Sequence, residues 1–95
     1  MAGSDPYITK MEAKLEEMDA ELQKIKARAK GKGADAEMQF NDLEKEYEQK
    51  KAVMEKNVAE LRSSGESAAE DLKEGADRAL GELTAAYEKA KSRFS

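Results

Sequence analysis

Large apolar side chains recur on one helical face along almost the whole chain, and this pattern constrains the fold more than any other feature. The recurring anchors are, in chain order, Ile8, Leu15, Leu22, Ala29, Phe40, Tyr47, Met54, Leu61, Leu72, Leu83 and Phe94. They are spaced by seven or eleven residues, which correspond to two and three helical turns, so each step returns to nearly the same face. The spacing predicts an all-α fold with helix almost from end to end.

The composition is typical of a coiled coil or a long helix. Charged residues make up 40% and hydrophobic residues 39%, with one Pro and a mean hydropathy of −0.90. In a chain of 95 residues, this supply of large apolar side chains is small for a compact core, so burial is predicted along thin seams or between chains. We interpret residues 1–95 as a single helical coiled-coil domain.

Composition also predicts which functions the chain lacks. It has no His and no Cys, so the usual nucleophile–base pairs and the common transition-metal ligands are missing. The net charge of −4 argues against generic nucleic-acid binding through a basic face. We predict that the protein is not an enzyme and has no catalytic residue, cofactor, metal site or nucleic-acid partner.

The sequence predicts a soluble, cytoplasmic protein. No apolar run approaches the length of about 20 residues that spans a bilayer. The N-terminal residues lack the basic and apolar regions of a secretory signal. The absence of Cys fits a reducing compartment.

Two heptad blocks form the predicted packing seam, in which apolar residues alternate by three and four as in a coiled coil. The predicted seam residues are Ile8, Met11, Leu15, Met18, Leu22, Ile25, Phe40, Leu43, Tyr47, Met54 and Leu61. Lys50 and Asn57 also fall at core-like positions of the second block, where polar residues restrict register and partner number. We expect this seam to mediate helix packing and self-association.

The segment Ser63-Ser64-Gly65-Glu66-Ser67 is the strongest candidate turn. It contains three serines and a glycine, and Ser67 with Glu70 has the spacing of a capping box that begins a new helix. We therefore place the main turn here.

Gly31 and Gly33 form a second candidate turn, because each glycine inside a helix costs about 1 kcal/mol relative to Ala. Ala29, Ala36 and Phe40 nevertheless keep the seam on one face across the glycines. This continuity favours one long helix that is kinked or softened at the glycines.

The favoured fold is a long antiparallel helical hairpin, with helices over about 6–62 and 67–94. At about 1.5 Å per residue the arms would measure about 85 Å and about 42 Å, so the short arm would leave the seam from Ile8 to Ile25 uncovered. The uncovered seam predicts a homo-oligomer, most simply an antiparallel dimer that closes a four-helix layer. The alternative is a three-helix bundle with an extra turn near 31–34, whose arms bury their seams within one chain.

A basic run precedes the glycines. It consists of Lys24, Lys26, Arg28, Lys30 and Lys32, with no acidic residue between them. Cations near a helix C-terminus offset the macrodipole, and an anionic lipid or protein partner is the alternative explanation. Because alternate residues do not share a helix face, we do not expect the run to form a focused patch.

The C-terminal block is built from eleven-residue units that begin at Leu61, Leu72 and Leu83. Its apolar stripe is narrow and rich in small residues, so this helix needs a surface to pack against. As an alternative function, residues 61–94 would lie on an anionic lipid or another hydrophobic surface. The apolar residues expected to insert are Leu72, Leu80, Leu83, Tyr87 and Phe94. The cations expected to meet head groups are Lys73, Arg78, Lys89, Lys91 and Arg93.

The start Tyr7-Ile8-Thr9-Lys10-Met11 and the later Gly65-Glu66-Ser67-Ala68-Ala69-Glu70-Asp71-Leu72-Lys73 resemble a family of small bacterial coiled-coil proteins, often described as associated with stress response. The resemblance covers nearly the whole chain. This chain differs in having Ala69 near the position of a common Trp, and in having Gly31 and Gly33 in its first helix. The eleven-residue units also look like those of late-embryogenesis-abundant and exchangeable apolipoprotein helices, which implies a surface or lipid role.

We therefore expect a non-enzymatic coiled-coil structural or interaction protein, associated with stress and self-associating through its heptad seams. The alternative is an amphipathic-helix protein that binds membrane surfaces or protects proteins and membranes under stress.

Overall fold

Three α-helices account for the fold. The computed structural model describes residues 5–64 and 66–94, and the side chains of residues 6–64 and 68–94. Its helices are α1 (Asp5–Lys32), α2 (Ala34–Ser63) and α3 (Glu66–Phe94), and no strand occurs in these ranges. The predicted all-α fold is confirmed.

One residue, Gly33, separates α1 from α2. Its φ of 117° and ψ of 177° lie in a backbone region that is essentially restricted to glycine. The favoured continuous helix over 6–62 is therefore wrong, and the alternative with a turn near 31–34 is observed. Burial explains the difference, because folding back covers the apolar seam of α1, which an extended helix would leave in water.

The second turn lies where the serine-rich segment predicted it. α2 ends at Ser63, and both the backbone N–H and the hydroxyl of Ser64 donate to the carbonyl of Leu61, at 3.2 and 2.8 Å. α3 then begins at Glu66. Gly65 and the predicted capping role of the Ser67 side chain lie outside the described residues.

The helices run up, down and up in a bundle that measures 50 × 17 × 17 Å. Lys26 pairs with Glu44 at 3.8 Å and Lys51 pairs with Asp19 at 2.7 Å, so α1 and α2 are antiparallel. α1 and α3 are parallel, because Tyr7 bonds to Lys73 near their N-terminal ends and Met18 meets Thr84 further along. This arrangement is far shorter than the predicted arm of about 85 Å.

All three helices contribute to one apolar core. The predicted seam residues are at most 9% exposed, except for Leu43, which is partly buried. The seam from Ile8 to Ile25 was expected to lack a partner within the chain, but α2 and α3 cover it. The argument for a dimer that covers this seam therefore no longer applies.

Small side chains line the buried face of α3. The buried small residues are Ala76, Ala79, Ala86 and Ala90. Two large buried side chains accompany them, Leu83 between Ala79 and Ala86 and Phe94 after Ala90. Small residues let helix backbones approach closely, and α2 and α3 share the most extensive interface of the three pairs. The surface that the C-terminal block was expected to need is thus supplied by α1 and α2.

Candidate interaction surfaces

A polar triad connects α1 to α2 at the edge of the core. Tyr47 has a fully buried ring, and its hydroxyl donates to Oδ1 of Asp19 at 2.8 Å. Nζ of Lys51 donates to Oδ2 of the same carboxylate at 2.7 Å. Burial raises the pKa of the Tyr47 phenol above its ordinary value, and the hydrogen bond to Asp19 raises this pKa further. The bond to Asp19 likewise raises the pKa of Lys51.

A second tyrosine connects α1 to α3. The hydroxyl of Tyr7 lies 2.9 Å from the carbonyl oxygen of Lys73 and 2.5 Å from Oδ1 of Asp77. Nζ of Lys73 lies 5.4 Å from the centre of the Tyr7 ring, within cation–π range. Burial and the contact with Asp77 raise the pKa of Tyr7. These contacts fix the N-terminal turn of α1 against α3.

Ion pairs across α2 and α3 set the register of these two helices. Lys50 pairs with Glu82 at 3.0 Å, and Lys89 pairs with Glu46 at 3.2 Å. Asn57 donates from Nδ2 to the carbonyl of Gly75 at 3.3 Å. The two polar residues predicted at core-like positions, Lys50 and Asn57, therefore lie at the edge of the α2–α3 interface, where they reach polar partners.

An acidic groove of about 510 Å³ runs between α1 and α2. Leu15, Val58 and Ala59 form its floor. Its charged lining comprises Glu12, Glu16, Asp19, Glu55, Lys51 and Arg62. Both cations contact carboxylates of α1, since Lys51 binds Asp19 and Arg62 binds Glu12. The four carboxylates outnumber the two cations, so the groove has a net negative charge.

A smaller groove of about 200 Å³ lies between α1 and α3, with Lys14, Glu17, Leu80 and Thr84 in its lining. Lys24 follows Glu17 by one heptad, and Arg28 follows Lys14 by two, so both lie on the same side of α1. Lys91 likewise follows Thr84 by one heptad on α3. Because α1 and α3 are parallel, the register places Lys24, Arg28 and Lys91 on the same side of the bundle, towards the C-terminal end of the groove. We call these three residues the basic stripe. Lys24 also pairs with Glu21 at 3.3 Å.

Three residues of the basic run predicted from the sequence lie on two sides of α1. Lys26 is directed towards α2 and pairs with Glu44 at 3.8 Å. Lys24 and Arg28, one helical turn apart, contribute to the basic stripe on the α3 side. The expectation that the run does not form a focused patch stays a prediction, since register alone places Lys24, Arg28 and Lys91 on one side of the bundle.

The five residues predicted to insert into a surface lie mostly in the core. Leu83, Phe94 and Tyr87 are 0%, 3% and 9% exposed, and Leu72 and Leu80 are partly buried. The predicted head-group cation Lys89 pairs with Glu46, and Arg93 donates to Gln39 at 3.0 Å. In the three-helix bundle, the five apolar residues therefore do not form an apolar face on the outside of α3.

Sequence patterns did not identify Asp19, Lys51 or Tyr7 as interhelical contacts. Each lies next to a seam position, since Asp19 follows Met18 and Tyr7 precedes Ile8. Residues that flank an a/d seam are well placed for polar contacts with a neighbouring helix. The heptad pattern shows that these residues flank the seam. It does not show which residue each one contacts, because that depends on which helices are neighbours.

Within residues 5–64 and 66–94, no helix is long and apolar enough to cross a membrane. The same residues contain no group of three or more acidic side chains placed to hold a metal ion. Comparisons with family models, with curated proteins and with solved structures find no match to this chain.

Proposed function

We propose that the protein is a non-enzymatic helical interaction module that self-associates and presents charged faces to its partners. One observation carries the proposal: two tyrosines at the core edge, and the charged side chains grouped with them, are engaged in joining helices. Tyr47, Asp19 and Lys51 bind one another across α1 and α2. Tyr7 and Asp77 do the same across α1 and α3.

The unequal distribution of charge supports a role in association. The α1–α2 groove is acidic, whereas the basic stripe lies beside the α1–α3 groove. Faces of opposite sign guide the approach and orientation of partners more than they add affinity. The association with stress, which comes from the resemblance to small bacterial coiled-coil proteins, is part of this proposal, as is a cytoplasmic location.

Light scattering and sedimentation across a wide concentration range test the proposal. We expect the average mass to rise with concentration, from that of one chain towards that of two. A mass that stays at one chain up to millimolar concentration, in both low and high salt, would sink the self-association. The salt series separates contacts between charged faces, which weaken with ionic strength, from apolar contacts, which do not.

A second candidate function, binding to an anionic membrane surface, is favoured by the basic stripe. Lys24, Arg28 and Lys91 are exposed, and the register of the parallel helices places them on the same side of the bundle. Each cation near a negatively charged membrane contributes about 1 kcal/mol of attraction. Since Leu83 and Phe94 are in the core, this binding would be electrostatic and reversible, without insertion of α3.

Co-sedimentation with vesicles that contain anionic lipid tests this candidate. We expect weak binding at low salt that the double variant Arg28→Glu/Lys91→Glu abolishes. The matched control is Lys45→Glu/Lys56→Glu, which makes the same charge change at exposed positions of α2 away from the stripe. If both variants weaken binding equally, the attraction is set by net charge and the stripe is not a site.

A further inference from the structure

We propose that this chain exchanges α1 with a second copy of itself, forming a dimer in which residues 5–63 of each copy make one continuous helix. In that dimer, α1 of one copy packs on α2 and α3 of the other. The inference rests on the self-association proposed above and names its surface and its partner. Four features of the chain point to it.

The first feature is the connection itself. Gly33 is the only residue between α1 and α2, and it adopts a backbone conformation that is essentially restricted to glycine. The N–H of Gly33 still donates to the carbonyl of Lys30 at 3.3 Å, and the N–H of Glu37 donates to the carbonyl of Gly33 at 3.0 Å. The bond from Glu37 has the i to i−4 spacing of an α-helix, whereas the bond from Gly33 has the i to i−3 spacing common at helix ends. Gly33 therefore already accepts the first helical bond of α2. A connection of one residue leaves no slack between the two helices, and short hinge connections favour exchange of the helix that they hold back.

The second feature is helical phase. Ala29 and Phe40 are eleven residues apart, which is three turns of helix, and Ala36 falls on the same face between them. All three residues are buried or partly buried. A turn requires no phase relation between the helices it joins. The preserved phase means that straightening the chain at Gly33 keeps the seams of α1 and α2 on one side of a single helix.

The third feature is the symmetry of the α1–α2 contacts. The ion pairs of Asp19 with Lys51 and of Lys26 with Glu44 are centred on Asp35. The contacts of Tyr47 with Asp19 and of Arg62 with Glu12 are centred two residues before and two residues after it. Two continuous helices related by a two-fold axis near Asp35 would therefore meet in the same antiparallel register. The pairs that now join α1 to α2 within one chain would re-form between two chains. Only the turn would change.

The fourth feature is the contrast with the other connection. Ser64 closes the C-terminal end of α2 through its backbone N–H and its hydroxyl, both of which bind the carbonyl of Leu61. The backbone bond has the same spacing as the bond of Gly33 to Lys30, so the hydroxyl bond of Ser64 is what distinguishes this helix end. Gly33 has no side chain to hold its turn, so exchange is expected at the first connection.

The variant Gly33→Ala tests the proposal, with Gly31→Ala as its matched control. Both changes favour helix by the same propensity, and a Cβ at either position meets nothing within 4 Å. Of these two glycines, only Gly33 has a positive φ, so Ala at this position strains the turn of the monomer but fits the continuous helix. Gly31 lies inside α1 in both forms. The difference between the two variants therefore reports on the turn alone.

We expect Gly33→Ala to have the mass of two chains by light scattering at micromolar concentration, with undiminished helical circular dichroism. Its dimer dissociation constant should be lower than that of the native chain by on the order of a hundredfold. Gly31→Ala should keep the native dissociation constant. A helical Gly33→Ala variant that remains monomeric, or a Gly31→Ala variant that dimerises equally, would overturn the proposal.

Cross-linking identifies which helices meet in the dimer. The native chain has no Cys, so Glu12→Cys and Arg62→Cys can each be placed in a separate Gly33→Ala chain and the two chains mixed. Glu12 and Arg62 contact each other across α1 and α2 in the monomer. A short bis-maleimide should join the two different chains in the exchanged dimer. A dimer that gives no product of the two different chains would contradict exchange and leave self-association through another surface standing.

If Gly33→Ala does not fold, a variant with a longer connection between α1 and α2 tests the exchange instead. Inserting Gly-Ser-Gly-Ser after Gly33 relieves the turn and should leave a folded monomer at concentrations where the native chain dimerises. An insertion variant that dimerises as strongly as the native chain would count against exchange at Gly33.

Discussion

Tyr47 donates a hydrogen bond to Asp19 at 2.8 Å from a ring that is fully buried, so one side chain joins the core of α2 to the charged edge of α1. Removing only the hydroxyl would leave the ring packing intact and would cost Asp19 one of its two partners. A hydrogen bond to a charged group contributes about 1.5–3 kcal/mol. Because Asp19 is partly exposed, water can replace the lost donor.

We expect Tyr47→Phe to lower the free energy of unfolding by about 1–2 kcal/mol, measured by urea denaturation. Tyr87→Phe is the control, because Tyr87 is also buried but no hydrogen bond of its hydroxyl occurs among the described residues. A loss of stability that is the same in both variants would show that the Asp19 contact is not the cause.

Stability should fall at alkaline pH because of the same tyrosine. Its pKa is raised in the folded state, mainly by burial and then by the bond to Asp19. The stabilisation from the neutral phenol is therefore fully present below the unfolded pKa of about 10 and is lost as pH rises above it. The maximum slope is about 1.4 kcal/mol per pH unit for this residue.

Urea titrations at a series of alkaline pH values measure this slope. Tyr47→Phe should lose stability less steeply than the native chain over the same pH range. Tyr7 and Lys51, whose pKa values are also raised, should supply the slope that remains. Identical slopes for the native chain and Tyr47→Phe would rule out Tyr47 as a source of the alkaline sensitivity.

Gly75→Ala should stabilise the bundle. A Cβ at Gly75 would lie 4.0 Å from Nδ2 of Asn57, an ordinary van der Waals distance, and the residue is inside α3. Replacing a helical glycine with alanine adds about 0.5–1 kcal/mol when no clash results. Thermal unfolding should therefore show a higher midpoint for Gly75→Ala. An unchanged or lower midpoint would mean that Asn57 needs the bare backbone of Gly75 to reach its carbonyl.

Phe40 should be among the most sensitive core positions. It is fully buried and packs edge-to-face against Phe94, with ring centroids 5.9 Å apart and an interplanar angle of 64°. Phe40→Ala should cost about 3–5 kcal/mol, which is a large part of the stability of a small domain. Met38, two residues before Phe40, is 66% exposed. Met38→Ala should therefore leave the free energy of unfolding nearly unchanged in the same denaturation experiment.

The helical character of the chain and the identity of its core follow from local spacing. The alternation from Ile8 to Ile25, and again from Phe40 to Leu61, specifies one apolar face whatever the helices pack against. The serine-rich turn was likewise readable, because Ser63 and Ser64 favour a helix end through bonds to nearby backbone. These features depend only on residues that are close in the sequence.

The sequence by itself determined which residues form the apolar face of each helix. The tertiary structure decided which other helices cover that face. Ala29, Ala36 and Phe40 would share one face of a straight helix, and they are also buried or partly buried when the chain turns at Gly33, so the pattern could not choose between the two forms. The choice was made by burial of α1 against α2 and α3, an energy that no local window contains. The same holds for the Tyr47–Asp19–Lys51 contact, which exists only because α1 and α2 became neighbours.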